Sequence, residues 1–299
     1  MTKKSTIVPM LTQHALHLTT RSLEAVHPEL SAAIAARLWF HVGRPPTAAV
    51  RNRHATPKGT PFSVALHGKP VHGMQWGDPA APLAYLVHGW GGWWQQLSSF
   101  APLLLGLGYQ VVAFDALAHG DSGPGAFGRR SSSVPEMAES YQAVADRFGQ
   151  PTATVAHSMG CLSVLWTQRH HGVVPQRQVL IAPAASTRGM VDVFAQAVGI
   201  GKPTLTPLAR RFRSRMHRPL SDFDLLPLVA AERLLRQLPP ALIVHDHDDR
   251  MTSPAESELL AQQWPGSELL LTTGHGHYRV LRSSETLAAV VGILAEVTA

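Results

Sequence analysis

Thr152 to Gly160, TATVAHSMG, is the stretch whose reading decides the fold. Thr152 to Ala156 is a short apolar run of strand length. It enters a tight turn carrying Ser158 between small residues, and a helix-forming run, Cys161 to Gln168, follows at once. A strand, a sharp serine turn and a helix make the layout of a nucleophile elbow. The turn lifts the hydroxyl out of the sheet edge and aims backbone N–H groups at a helix start, where the dipole favours negative charge. Serine alone is a poor nucleophile and needs a base held by a third group. Taken alone, Ser158 reads equally well as a helix N-cap. The rest of the chain decides, by supplying or lacking a histidine, an acid and an oxyanion hole.

Outward from the elbow, strand and helix patterns alternate. Leu83 to Val87 and Gln110 to Asp115 precede it, and Val179 to Ala182, Ala241 to His245 and Glu268 to Thr272 follow. Runs apolar on both faces fit central parallel strands. Phe62 to Leu66 and Val71 to Trp76, around the turn-like His67-Gly68-Lys69-Pro70, suggest an antiparallel hairpin at a sheet edge. Helices are expected from Glu29, with Leu30, Ile34 and Leu38 on one stripe, and around Trp93, Leu97, Phe100 and Leu104, bent at Pro102. Two more are expected around Met137, Tyr141, Val144 and Phe148, and from Ser284 to Val297. The alternation implies a mostly parallel sheet covered on both faces. Ser186 to Leu238 shows no strand pattern. Its short helical stripes, such as Val191, Phe194 and Val198, are broken by Gly199, Gly201, Pro203 and Pro207, and read as a helical cap. The expected organisation is an N-terminal helical extension over 1–60, an α/β core over 61–185 and 240–299, and a cap or lid over 186–239.

The chain has 299 residues, of which 45% are apolar, enough for a sizeable core. No run approaches the roughly 18 apolar residues of a membrane span. The N-terminus lacks a continuous apolar stretch of the secretory kind, and Cys161 is the sole cysteine. Both fit a cytoplasmic protein. The formal charge is +6 and the pI near 9.9. The basic residues are scattered apart from Arg210, Arg211, Arg213, Arg215 and Arg218. Without aromatic interleaving or zinc spacing they read as a solvated helix face rather than a nucleic-acid site.

In open α/β sheets, ligands bind beyond the carboxyl ends of the strands. The chemistry-bearing residues cluster there. His88-Gly89-Trp90-Gly91-Gly92 follows the 83–87 strand, and DALAHGDS, Asp115 to Ser122, continues the 110–115 strand. Ser158 follows the elbow strand. His245-Asp246-His247-Asp248-Asp249 and Gly274-His275-Gly276-His277 follow the last two. A base in the loop after the last strand can be His277 or His275, and the acid can be drawn from the aspartates after His245.

In this order the motifs resemble those of a serine hydrolase of the α/β-hydrolase family, over Phe62 to the C-terminus. The triad order Ser, Asp, His is also the family's. The resemblance implies Ser158 as nucleophile, His277 rather than His275 as base, and Asp249 rather than Asp248 as the acid. It implies backbone N–H groups of Trp90 and Met159 as the oxyanion hole. Two departures stand out. Ala156 replaces the first glycine of G-x-S-x-G, and Asp246 takes the glycine place of H-G-x-x-D. Asp115 is expected to be structural, His88 and His157 to tie loops by hydrogen bonds, and Cys161 to be buried and inert. Trp93, Trp94, Met190 and Phe194 are candidate walls of a substrate pocket.

The function expected from the resemblance is cofactor-independent hydrolysis of a small-molecule carboxylic ester, with no metal and no nucleic-acid partner. Thioesterase, amidase and acyltransferase chemistry are rivals that use the same triad. A hydrolase-fold binding protein is the non-enzyme rival.

Overall fold

A computed structural model of the chain describes residues 17, 20–47, 57–235 and 238–295. The described residues divide into two compact units. One comprises those of Met1–His41 with Thr187–Phe223, the other those of Val42–Ser186 with Asp224–Ala299.

The larger unit holds an eight-stranded sheet. In chain order its strands are β1 (Thr60–Leu66), β2 (Lys69–Trp76), β3 (Leu83–Val87), β4 (Gln110–Phe114), β5 (Ala153–His157), β6 (Arg177–Ile181), β7 (Ala241–Asp246) and β8 (Ser267–Thr272). They lie in the order β1-β2-β4-β3-β5-β6-β7-β8. β1 pairs antiparallel with β2, and β2 with β4; every other pairing is parallel. The hairpin turn is tighter than the four residues expected. Only His67 and Gly68 leave the ladder, at φ 51° and 72°. That is the doubly positive geometry whose twist suits a two-residue hairpin.

The five central strands β3 to β7 are almost wholly buried, as their apolar runs require. On one face Leu86, Val111, Val155, Ile181 and Val244 pack with Leu97, Phe100, Leu104, Val290 and Leu294. On the other, Tyr85 and Phe114 meet Tyr141 of the helix Val134–Phe148 at ring-centroid distances of 5.2 and 5.9 Å. The helix expected to bend at Pro102 breaks earlier. A 3-10 turn, Trp94–Leu97, precedes the helix Phe100–Gly106. Pro102 falls in the new helix's first turn, where its missing N–H costs no ladder bond.

The helix Leu225–Leu235, expected in the cap, belongs to the larger unit. It packs on the elbow helix Met159–His171, and the Leu225 N–H donates to the Ala185 carbonyl at 2.9 Å.

In the smaller unit the helix Pro28–Trp39 packs against Lys202–Met216. Its buried face is Ser31, Ala32, Ala35 and Ala36, not the expected stripe of Leu30, Ile34 and Leu38. Small side chains let two helix backbones approach closely; the larger ones lie at the margin, Leu30 52% exposed and Ile34 and Leu38 half-buried. Trp39 packs against Phe194 and Phe212 at 5.1 and 4.9 Å. Gly199, at φ 74°, ends the helix Thr187–Val198 as the sequence suggests. Pro207 does not end the next one, which loses one ladder bond there and runs on to Met216.

Candidate active site

The elbow forms at the end of β5. Ser158 has φ 53° and ψ −122°. A non-glycine residue there stores strain of about 1–3 kcal/mol, held by surrounding structure. The hold is visible: the Ser158 N–H donates to the Ile181 carbonyl at 2.9 Å, and the Cys161 N–H to the Ser158 carbonyl at 3.0 Å. Gly160 is required by crowding, because a Cβ there would lie 2.6 Å from the His88 carbonyl oxygen. Ala156, in place of the family's first glycine, is fully buried within β5 and fits without disturbing the turn.

Although Ser158 precedes a helix, its side chain makes no cap bond. Its Oγ instead lies 3.0 Å from Nε2 of His277. Nδ1 of His277 lies 2.7 Å from Oδ2 of Asp249. The Asp249 carboxylate has no exposed surface. Burial opposes its ionisation, but hydrogen bonds from His245 and His277, the charge of His277 and the Met251 N–H hold its pKa well below the usual carboxylate range. An ionised acid only accepts, so Nδ1 of His277 carries the proton and Nε2 is left to take the serine's. The structure therefore brings together Ser158, His277 and Asp249 from the ends of β5, β8 and β7.

The two rival residues point elsewhere. Nε2 of His275 lies 3.3 Å from Glu285, and Asp248 accepts the Gly274 N–H at 2.8 Å. Asp246, seen in the sequence only as a replaced glycine, has a structural role that the pattern did not reveal. Its buried carboxylate accepts from the Thr272 hydroxyl and from the N–H groups of Asp248, His275 and Gly276, at 2.7 to 3.2 Å. Burial raises its pKa, but these four donors more than offset that and lower it. One carboxylate thus binds the acid loop to the histidine loop. Four nearby donors are visible only once those loops fold together.

The sequence likewise marks His245 only as the first residue of the H-G-x-x-D pattern. It is fully buried, with Nε2 at 3.3 Å from Asp249 Oδ2 and Nδ1 at 2.6 Å from the Ser257 hydroxyl. The hydroxyl donates to Nδ1, so Nε2 carries the proton, which it shares between the Thr252 carbonyl and the Asp249 carboxylate, each at 3.3 Å. Thr252 adds its hydroxyl to the same oxygen at 2.9 Å, while the Met251 and Thr252 N–H groups bond Oδ1. The Asp249 carboxylate therefore has five donors.

The loop after β3 lies against the elbow. A Cβ on Gly89 would stand 2.9 Å from the Ser158 Cβ. Three buried histidines brace the region. Nδ1–H of His88 donates to the Gly89 carbonyl at 2.7 Å, and its Nε2 accepts the Ala116 N–H at 3.0 Å. Nε2–H of His157 donates to the His277 carbonyl at 2.9 Å. His119 donates to the Leu117 carbonyl and meets the Trp90 ring edge-on at 5.6 Å. Burial, above all, lowers their pKa values, to about 4 for His88 and about 3 for His119 and His157. All three are neutral near pH 7. Asp115 accepts the Trp94 and Asp121 N–H groups at 2.7 and 2.9 Å and so shapes the two loops around it.

Of the expected pocket walls, Trp93 is half-buried at the start of the 3-10 turn. Trp94 packs on Trp76 at 5.5 Å as part of the core's margin. Met190 and Phe194 belong to the smaller unit, where Phe194 packs edge-on to Trp39. For Trp94 and Phe194 the contacts seen are packing contacts. Cys161 is buried, and burial raises its thiol pKa far above the usual value. Among the described residues, no group of three or more His, Cys, Asp or Glu side chains is placed to hold a metal ion. No helix among them is long and apolar enough to cross a membrane.

The sequence profile of the alpha/beta hydrolase family matches residues 84–290. A search of curated protein sequences returns no match. Solved structures similar in fold include a predicted CIB-like hydrolase from Thermoplasma acidophilum. It is 18% identical with TM-score 0.58, over 80% of this chain and 99% of that one. Est1E from Butyrivibrio proteoclasticus, solved with ferulic acid bound, is 17% identical with TM-score 0.57, over 79% and 96%. A membrane phospholipase A described as a bacterial virulence factor is 18% identical with TM-score 0.56, over 96% and 98%. At these identities the likeness is one of fold.

Proposed function

Because the chain belongs to the alpha/beta hydrolase family, we propose that it is a serine hydrolase that cleaves carboxylic esters through an acyl-enzyme. The observation that carries this reading is the unbroken line from Ser158 Oγ to His277 Nε2 at 3.0 Å and from His277 Nδ1 to Asp249 Oδ2 at 2.7 Å. These are the distances at which a base takes a hydroxyl proton as the oxygen attacks.

In the first half-reaction Ser158 Oγ attacks the ester carbonyl and its proton passes to His277 Nε2. The imidazolium is stabilised by the Asp249 carboxylate, which keeps its own charge. In this reading the backbone N–H groups of Trp90 and Met159 supply the donors for the oxygen on which negative charge develops, as the family resemblance implies. The C–O bond to the alcohol breaks as His277 returns the proton to the leaving oxygen. In the second half-reaction water adds to the acyl carbonyl, His277 again holds the transferred proton, and Ser158 is released with it. No cofactor or metal enters any step.

The experiment is hydrolysis of p-nitrophenyl esters of graded chain length, with thioester counterparts, by wild type and Ser158→Ala. Turnover by the wild type that disappears in the variant, with labelling of Ser158 by a fluorophosphonate, is the expected result. Turnover that survives in Ser158→Ala would overturn the assignment.

A further inference from the structure

Charge is divided unequally between the two units. By sequence, Met1–His41 with Thr187–Phe223 carries eleven basic and four acidic side chains, +7. The remainder carries fifteen basic and sixteen acidic, −1. Together these give the chain's +6. The smaller unit thus holds all of the excess positive charge.

Its arginines border an apolar strip. A groove of about 530 Å³ runs between the helices Pro28–Trp39 and Lys202–Met216, with Leu30, Ile34 and Arg37 on one side and Arg211, Ser214 and Arg215 on the other. Leu30 is 52% exposed, and Val26, just ahead of His27, the N-cap of the helix Pro28–Trp39, is 69% exposed. Two of the unit's own acids are engaged within it. Glu24 accepts the Gly201 and Thr204 N–H groups, and Glu29 pairs with Arg210 and Arg211. Arg215 stacks over Phe40 at 4.7 Å, and burial and the nearby charge of Arg37 lower its pKa. Two like charges held at one groove are relieved by an anion placed between them.

We propose that this face of the helical unit docks on an anionic phospholipid surface, with Arg37, Arg211 and Arg215 on lipid phosphates and Val26, Leu30 and Ile34 at headgroup depth. Guanidinium groups bind phosphate oxygens in pairs. Basic side chains beside exposed aliphatic ones are the composition of interfacial helices. Nucleic acid would use the same charge but offers nothing to exposed Val26 and Leu30. The attachment is peripheral and independent of the reaction proposed above.

The test is co-sedimentation of the full chain with vesicles of equimolar phosphatidylcholine and phosphatidylglycerol, against vesicles of phosphatidylcholine alone. Binding to the anionic vesicles only, weakened by salt, is expected. Arg37→Gln with Arg211→Gln should weaken it by roughly tenfold or more, and Leu30→Gln should weaken it at unchanged charge. Thermal midpoints of the variants, equal to wild type, separate lost docking from lost folding. Absence of binding to the anionic vesicles would overturn the proposal. So would binding that Leu30→Gln leaves unchanged, or retention on DNA without vesicle binding.

Discussion

Gly89 and Ser158 approach so closely that a methyl group on the glycine would stand 2.9 Å from the serine Cβ and 3.0 Å from the His157 carbonyl oxygen. Both contacts are with main-chain or first-carbon atoms, which cannot swing aside. Gly89→Ala should therefore push the loop bearing Trp90 away from the nucleophile. We expect kcat to fall about a hundredfold, the scale of losing one oxyanion donor, while Ser158 still reacts with a fluorophosphonate. Near-wild-type turnover by Gly89→Ala would show that the loop plays no part in stabilising the oxyanion.

Asp249 and Asp248 should separate cleanly. Asp249→Asn removes the acceptor that fixes the His277 tautomer, and kcat should drop by about 10⁴. Asp248→Asn touches only the Gly274 N–H, so its turnover should stay within about threefold of wild type, as one exposed hydrogen bond implies. Steady-state kinetics on a soluble p-nitrophenyl ester checks both.

His245 acts through Asp249 and is a positioning residue. In His245→Ala the Asp249 carboxylate keeps four donors but loses the one supplied by the buried ring. We expect kcat to fall about tenfold, the scale of one misaligned charged hydrogen bond. KM should hold. His245→Gln, able to donate from the same side, should recover part of the loss. A loss that appears in KM alone would remove His245 from this role.

The three buried neutral histidines make stability depend on pH. Their folded pKa values, about 4, 3 and 3, lie below the unfolded value of about 6.5. As pH falls through about 6.5 the unfolded chain binds protons first, so this contribution to stability is complete above that pH and declines below it. Each histidine contributes a slope on the order of 1 kcal/mol per pH unit between about pH 6 and pH 4. Urea midpoints measured from about pH 7.5 down to pH 5 should fall before ordinary carboxylates titrate. A flat midpoint over that range would show that the rings are charged or exposed.

Ala156 offers a test of the elbow itself. It sits in a closely packed strand, so restoring the family's glycine should not speed the reaction. Ala156→Gly should lower stability by about 0.5–1 kcal/mol through backbone entropy alone, read as a lower thermal midpoint at unchanged kcat.

Much of this arrangement was legible in the sequence because it is written locally. Runs apolar on both faces gave the central strands, and glycines beside Ser158 and His88 marked places where backbones must nearly touch. Which loops sit at strand ends grouped Ser158 with the aspartates after His245 and the histidines after Gly274, while the choice of Asp249 and His277 within those loops rested on the family resemblance. What stayed hidden depends on neighbours distant in sequence. Asp246 looks like a substituted glycine until Thr272, His275 and Gly276 arrive around it. Leu30, Ile34 and Leu38 have helical spacing, yet the alanine face was buried, because periodicity cannot tell a close helix pair from a looser one. Pro102 and Pro207 carry the same signal in the sequence, yet neither stops its helix: Pro102 falls in a first turn, and Pro207 is carried in the interior at the loss of one ladder bond.

The hydrogen bond from His157 to the His277 carbonyl has a practical consequence. His157 is covalently next to Ser158, so a single peptide link and a single hydrogen bond join two groups whose positions in the chain are 119 residues apart. Mutational libraries aimed at new substrates should therefore hold position 157 fixed, along with the loop residues Gly89, His245 and Asp246. Losing the His157 ring would remove a hydrogen bond to the backbone that seats His277 beside Ser158 without changing either residue.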